Sequence, residues 1–216
     1  MPSFELLTAG DPRLASTDDV AEARRQLLVA EVEGEVPTRH RDTVLRFADT
    51  HPDLLHRSSE SAHLTGSAVV VDAAGERTLL MLHRKLGMWL QPGGHADGDG
   101  NLAAVALREA TEETGIDGLR VAVPALDVDV HRVAPPGEKP HLHLDLRFLV
   151  VAPPDAVERG NEESRALRWV GPGDLDGLGV DPSTRRLVGR GLAVLAAARA
   201  ADRRWGESPD STGGAT

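Results

Sequence analysis

The sequence predicts an α/β (α+β) fold: a mixed β-sheet held between helices, with a helical extension at the N-terminus. Three observations carry this reading. Short runs rich in β-branched and aliphatic residues surround a single strongly acidic helix in the middle of the chain. An alanine-rich amphipathic segment follows the last of those runs. No strand–helix–strand alternation repeats, which excludes a doubly wound parallel sheet. With 216 residues there is room for one large domain or for one domain with a sizeable extension, and 40% hydrophobic residues suffice for a core.

Residues 1–62 read as the helical extension. Thr17 or Asp18 is placed to cap a helix through DVAEARRQLLVAEVE, with Leu27, Leu28 and Val32 among its buried positions. Gly34 to Pro37 breaks that helix, a second runs from Arg41 to Thr50, and Pro52 stops it. DLLHRSSE adds a further turn. Nothing here has ligand spacing, so the segment reads as packing, with a cap over a substrate pocket as the functional alternative. His40, His51 and His56 read as surface positions.

A domain over residues 63–204 follows. HLTGSAVVVD is a strand, AAGE a turn, and RTLLMLHRK the returning strand of a hairpin. MWLQP delivers the chain into Gly93-Gly94. Beyond the acidic helix, LRVAVPALDVDVHRV reads as one bent or two short strands interrupted at Pro124. HLHLDLRFLV, residues 141–150, alternates most cleanly: Leu142, Leu144, Leu146 and Phe148 face the core, and His141, His143, Asp145 and Arg147 face away. SRALRWV is a further strand, Thr184 to Arg203 an amphipathic helix, and residues 205–216 have the composition of a disordered tail.

Composition narrows the partners. A formal charge of −10 opposes nonspecific attraction to nucleic acid or to an anionic membrane, and 3% aromatics without tyrosine leave few rings for stacking bases. There is no cysteine, hence no disulfide or thiol chemistry. The N-terminus lacks a basic region followed by an apolar core, and no apolar run has membrane-spanning length, so a cytoplasmic location is expected.

The chemistry gathers in GGHADGDGNLAAVALREATEETGI, residues 93–116. Glu109, Glu112 and Glu113 stand at i, i+3 and i+4, on one arc of a helix that Gly115 closes. Three like charges repel, and Arg108, one turn before Glu112, offsets only part of that. A divalent cation offsets far more, and hard carboxylate oxygens suit Mg²⁺ or Mn²⁺. A solvated acidic face is the structural alternative. Ala103, Leu107, Ala110 and Thr114 form a small-residue stripe beside the acidic arc and require close packing, while Gly93-Gly94 lets backbone carbonyls approach the same metal.

This stretch resembles the Nudix box, G-x5-E-x7-R-E-U-x-E-E-x-G-U with U aliphatic. Gly94, Arg108, Glu109, Glu112, Glu113, Gly115 and Ile116 match it, and Ala110 is a small substitute at the first U. Gly100 stands where the family has its first glutamate, with Asp97 and Asp99 close by as stand-ins. In the family that glutamate supports the loop and the arginine, so a glutamate at Gly100 is expected to stiffen the loop, unless the glycine takes a positive φ angle. The resemblance covers about His63 to Leu175. It implies a Nudix fold and a metal-dependent hydrolase cleaving the diphosphate of a nucleoside diphosphate linked to another moiety. The metal, Mg²⁺ or Mn²⁺, would sit on the Gly93 carbonyl, Glu109, Glu112 and Glu113. Arg108 would orient the glutamates, and Glu112 or a carboxylate outside the box would serve as base. Asp145, Glu162 and Glu163 are candidates for an extra acidic group. The family frequently pairs, which leaves a homodimer open. A catalytically silent nucleotide-binding module is the alternative. An isoprenoid-diphosphate isomerase is disfavoured because the resemblance implies a cysteine for that activity.

Outside the box, Arg84 and Trp89 are candidates to meet substrate phosphates and a nucleobase, with a hairpin-end charge and a core tryptophan as the plainer readings. His143 and Asp145, on the polar side of their strand, are candidates to bind substrate or position water. His141 and His143 together form a His-x-His pair able to ligate a transition metal, and a solvated or hydrogen-bonded face is the remaining reading.

Overall fold

A computed structural model of the chain describes residues 4–134, 137 and 139–201. The tail expected over 205–216, the end of the expected C-terminal helix, and part of the loop after Val133 lie outside the described residues. Along the chain come β1 (Glu5–Thr8), α1 (Val20–Val29), α2 (Glu35–Thr50), β2 (Ala62–Val71), β3 (Thr78–His83), β4 (Trp89–Leu90) and β5 (Gly93–His95). They are followed by α3 (Leu102–Thr114), β6 (Arg120–Val123), β7 (Asp127–Val133), β8 (His141–Val151), β9 (Ser164–Val170) and α4 (Pro182–Ala201).

The strands form one mixed nine-stranded sheet ordered β1-β6-β8-β2-β3-β4, with β5 on β2, β7 on β8 and β9 on β3. Its centre is the parallel pair β2–β8, in register from Ala62↔Leu142 to Val71↔Val151. Every residue of β2 is buried, so both faces are covered, and the period of two sorts what each carries. Leu64, Ala68 and Val70 join Leu144, Leu146, Phe148 and Val150 under α3. On the opposite face Val69, Val71, Leu149 and Val151 pack against Leu187, Val188 and Leu195 of α4. No helix among the described residues is long and apolar enough to cross a membrane.

The N-terminal part departs from its reading in three ways. Residues 5–8 are a strand, paired antiparallel with β6 from Glu5↔Val123 to Thr8↔Arg120. Helix α1 is capped by Asp19, whose side chain accepts the Ala21 N–H at 2.9 Å, so Thr17 and Asp18 lie outside it, and Leu28 is 53% exposed. Helix α2 begins at Glu35, not Arg41. Pro37 falls in its first turn, where the missing N–H has no intrahelical partner to lose. Leu27, Val44 and Leu54 are fully buried in the same cluster as Leu64 and Phe148. The first sixty residues therefore share the core of the sheet.

The second correction concerns β8. Its Leu144, Leu146 and Phe148 do face the core, but the opposite side is largely enclosed too, with Asp145 and Arg147 buried against side chains of β2, β7 and α4 and His143 half-buried. Arg147 lies inside a ring of carboxylates, donating to Asp145 Oδ2 (2.7 Å), Asp129 Oδ2 (3.2 Å), Asp127 Oδ2 (3.4 Å) and Ser183 Oγ (2.7 Å). Arg186 adds bonds to Asp127 and Asp129 from α4. Burial alone would raise the Asp129 carboxyl; the His131 bond, Arg147, Ser183 and Arg186 outweigh it and hold the group below the usual carboxylate range. Removing the central cation would leave buried charge uncompensated. Arg147→Met is expected to lower stability by about 3–5 kcal/mol, read in urea as an earlier midpoint at unchanged m-value.

Candidate active site

Helix α3 is fixed at both ends. Asn101 caps its start, accepting the Ala104 N–H at 3.3 Å, and Gly115 closes it in the left-handed conformation at φ 63°. The stripe Ala103, Leu107, Ala110 and Thr114 is buried. Close seating on β2 carries the last two turns to β5. There Glu113, only 3% exposed, accepts the Gly93 N–H at 2.9 Å through Oε2. Glu109 nests against Gly94, where any side chain would collide with its carboxylate. Glu112, at the edge of the same arc, is exposed.

Burial pushes the Glu113 carboxyl up to about 8; the Gly93 N–H opposes this, and the charges of Glu109, Glu163 and Glu112 reinforce it. Burial also raises Glu109, Arg108 pulling it down and Glu112 and Glu163 pushing it up. Glu163 therefore belongs to the same electrostatic cluster, although it lies outside the box helix. Arg84 holds that segment: its Nε donates to the Glu162 carbonyl (2.7 Å), Nη2 to the Ser164 carbonyl (3.2 Å), and its own N–H to the Glu163 carbonyl (2.8 Å). Its guanidinium is engaged with backbone. Trp89 packs against the α4-side cluster, on the sheet face away from α3. A carboxylate set that resists ionising alone is one a hard divalent cation relieves, and only glycine at 94 lets the strand approach it this closely.

The loop before α3 explains Gly100. Asp97 is engaged by Arg57 through two bonds of 2.7 Å. Asp99 accepts the N–H groups of Thr17 (3.2 Å) and Asn101 (2.9 Å), and its Oδ2 lies 3.8 Å from Arg108 Nη1. Arg108 also reaches Glu109 Oε1 at 3.3 Å. Asp99 thus does the loop-bracing expected of the box's first glutamate. A side chain at Gly100 would run into the Asp19 carbonyl, while the Gly100 N–H donates to the Thr17 carbonyl at 2.6 Å. The N-terminal segment fills the space, and the expected stiffening by a glutamate there does not apply; the obstacle is backbone contact, not a positive φ.

On the polar face of β8, His141, Asp145 and Arg147 are buried and His143 is half-buried. Asp145 accepts Thr65 Oγ1 and Ser67 Oγ at 2.8 Å each and Arg147 Nε at 2.7 Å, which fills both of its oxygens with partners from inside the protein. His143 lies in a group of imidazoles with His63, His95, His131 and His141, ring centroids 4.6–5.4 Å apart. Burial, then the neighbouring imidazoles led by His95, lowers His143 to about 2. Burial, then Arg57 and His63, lowers His95 to about 4. Both rings are neutral. His63 and His95 escaped the sequence reading. The alternation His63-x-Thr65-x-Ser67 was the available signal, but its partner strand was not.

The family model described as the NUDIX domain matches residues 62–188. No curated protein matches the chain. Among solved structures, a MutT Nudix hydrolase from Burkholderia pseudomallei is 26% identical over 61% of this chain and 98% of its own, with a TM-score of 0.49. A Nudix-family hydrolase from Clostridium perfringens is 23% identical over 62% and 97%, at 0.48. An Ap4A hydrolase from C. elegans, in a binary complex, is 21% identical over 62% and 98%, at 0.49.

Two outcomes are expected from this geometry. Gly100→Glu should destabilise the protein by about 1–3 kcal/mol, since the Asp19 backbone must move, while Asp99→Asn should lower activity by loosening Arg108; thermal melts beside rates check both. In the metal-free protein Glu113 keeps its proton to about pH 8, whereas the unfolded chain loses it near 4.5. The folded state binds the extra proton between those values, so stability falls as pH rises through them. Glu113→Gln should match wild type in Tm near about pH 5 and exceed it near about pH 9, with added Mg²⁺ closing the gap.

Proposed function

The chain belongs to the Nudix family of hydrolases, and we propose that it is a divalent-metal-dependent enzyme cleaving the diphosphate of a nucleoside diphosphate linked to another moiety. The observation that carries this is the seating of Glu113 on the Gly93 N–H and of Glu109 on Gly94, with Glu112 on the same arc and Glu163 in the same field. Mg²⁺ or Mn²⁺ would be held by Glu109, Glu112, Glu113 and the Gly93 carbonyl. When bound it supplies neutralisation of the phosphoryl oxygens and acidifies the attacking water.

The protein's own residues supply position. Glu113 fixes the Gly93 peptide beside the acidic arc. Arg108, 40% exposed between Asp99 and Glu109, sets the Glu109 carboxylate. Glu112 is the exposed member and our candidate to take the proton of the attacking water; the Asn161 amide on its carbonyl (3.3 Å) ties the helix end to the segment carrying Glu163. Arg84 contributes by holding that segment, and Asp145 by bracing the sheet.

A screen of nucleoside diphosphate derivatives with Mg²⁺ and Mn²⁺, products read by mass, tests the reading. Glu112→Gln and Glu113→Gln should each lower kcat by about a hundredfold or more, the scale of a lost transition-state charge contact, with circular dichroism unchanged. Wild-type rates in both variants would remove the box from the chemistry. Nucleotide binding without metal-dependent turnover would leave a silent binding module.

A further inference from the structure

We propose that His63, His95 and His143 form a second metal site, on the sheet face opposite α3, for an imidazole-preferring transition-metal ion such as Zn²⁺ or Co²⁺. The three rings come from β2, β5 and β8. One ligand-capable atom of each lies within 4.8 Å of the others. Ring centroids are 4.8 Å (His63–His95), 4.9 Å (His95–His143) and 5.0 Å (His63–His143) apart, a nearly equilateral triangle. Three ligands around one ion have that layout; a chain of stacked rings does not.

The register builds the triangle. His63 is the Cα partner of His143 across the parallel pair, and His95 is the partner of Thr65, two residues on. A tetrahedral ion with bonds of about 2.0–2.1 Å needs ligand atoms about 3.4 Å apart. The rings must close by about 1.4 Å at most, within reach of small side-chain rotations.

The surroundings favour a soft-to-borderline ion. Asp145, the nearest carboxylate along β8, is filled by Thr65, Ser67 and Arg147, leaving imidazole nitrogen as the donor. Such a set selects Zn²⁺, Co²⁺ or Ni²⁺ over Mg²⁺, the reverse of the carboxylate cluster on α3. Two further histidines flank the triangle: the His131 ring stands 5.4 Å from His143, with its Nδ1 3.0 Å from Asp129 Oδ2. The His141 ring centroid lies 4.6 Å from that of His63, and its Nδ1 donates to the Lys139 carbonyl at 2.8 Å.

Position gives the site a consequence. Gly94 turns toward Glu109, and His95, the next residue of the pleat, turns to the histidines. An ion joining β2, β5 and β8 would pin β5, and with it the Gly93-Gly94 seat of Glu113 and Glu109.

Cobalt titration of the metal-stripped full chain tests this. One equivalent of Co²⁺ should give the visible absorption of a low-coordinate site, displaced by Zn²⁺ and not by excess Mg²⁺. His95→Asn and His143→Asn should each weaken binding at least tenfold, while Glu112→Gln, Glu113→Gln and the remote His51→Asn leave it intact. Should the histidine variants fail to fold, X-ray absorption of wild type with one equivalent of Zn²⁺ decides: at least three imidazoles are expected, and an all-oxygen shell would overturn the site. No cobalt binding, binding indifferent to His95 and His143, or binding lost with the glutamates would each overturn it as well. Because the readout is metal binding, its failure leaves the hydrolase reading untouched.

Discussion

Burial of β2 on both faces is the constraint from which the rest of the structure follows. A strand paired with β8 along its length and covered from above and below can leave no polar group unanswered. On the α3 face it carries apolar residues and Gly66. On the other it carries Val69 and Val71 against α4 and, earlier in the strand, His63, Thr65 and Ser67, whose neighbours must be polar and internally matched. Asp145 answers the two hydroxyls, Arg147 answers Asp145, and Asp127, Asp129 and Arg186 complete the ring. The result is a sheet packed with apolar side chains on both faces, whose α4 side also carries, beside the His63–Ser67 part of β2, a buried electrostatic network passing into a histidine cluster. Such networks specify one register, because a slip of one residue would set charge against hydrocarbon.

The acidic helix draws on the same pleat. Small residues let α3 sit close on β2, and that closeness brings Glu113 and Glu109 to two glycines of β5. The helix is thereby held in an arrangement its own charges oppose, as the raised Glu113 and Glu109 carboxyls record. Packing energy from the stripe and the core holds the carboxylates together.

The N-terminal segment is part of this machinery rather than an appendage. Gln26 of α1 donates to Asn101 Oδ1 at 2.8 Å and accepts the Ala103 N–H at 3.1 Å, so α1 completes the cap of α3. Asn101 in turn holds the carbonyls of Arg13 and Ala15 (2.8 and 3.1 Å), and Asp99 holds Thr17. With Asp19 pressed on Gly100, the loop has exchanged the family's glutamate for a backbone neighbour and an aspartate one residue earlier.

The sequence by itself determined the acidic helix and its closing glycine, Gly115, the hairpin of β2 and β3, the break at Pro124 and the alternation of β8. Each of these is local: a period, a cap or a turn is written within a dozen residues. The box residues and their family were legible for the same reason, since helical spacing alone puts three carboxylates on one arc. Tertiary structure alone decided the rest. Whether His143 and Asp145 face water depends on the side chains that β2 and β5 set beside them, His63, His95, Thr65 and Ser67, which no pattern within β8 records. Only the fold shows that Asp97 pairs with Arg57 while Asp99 holds the distant Thr17 backbone. His63, His95 and His143 meet because a parallel pairing and a short antiparallel strand bring together residues up to eighty positions apart, and register between such distant segments is fixed by the whole core, not by any one stretch of chain.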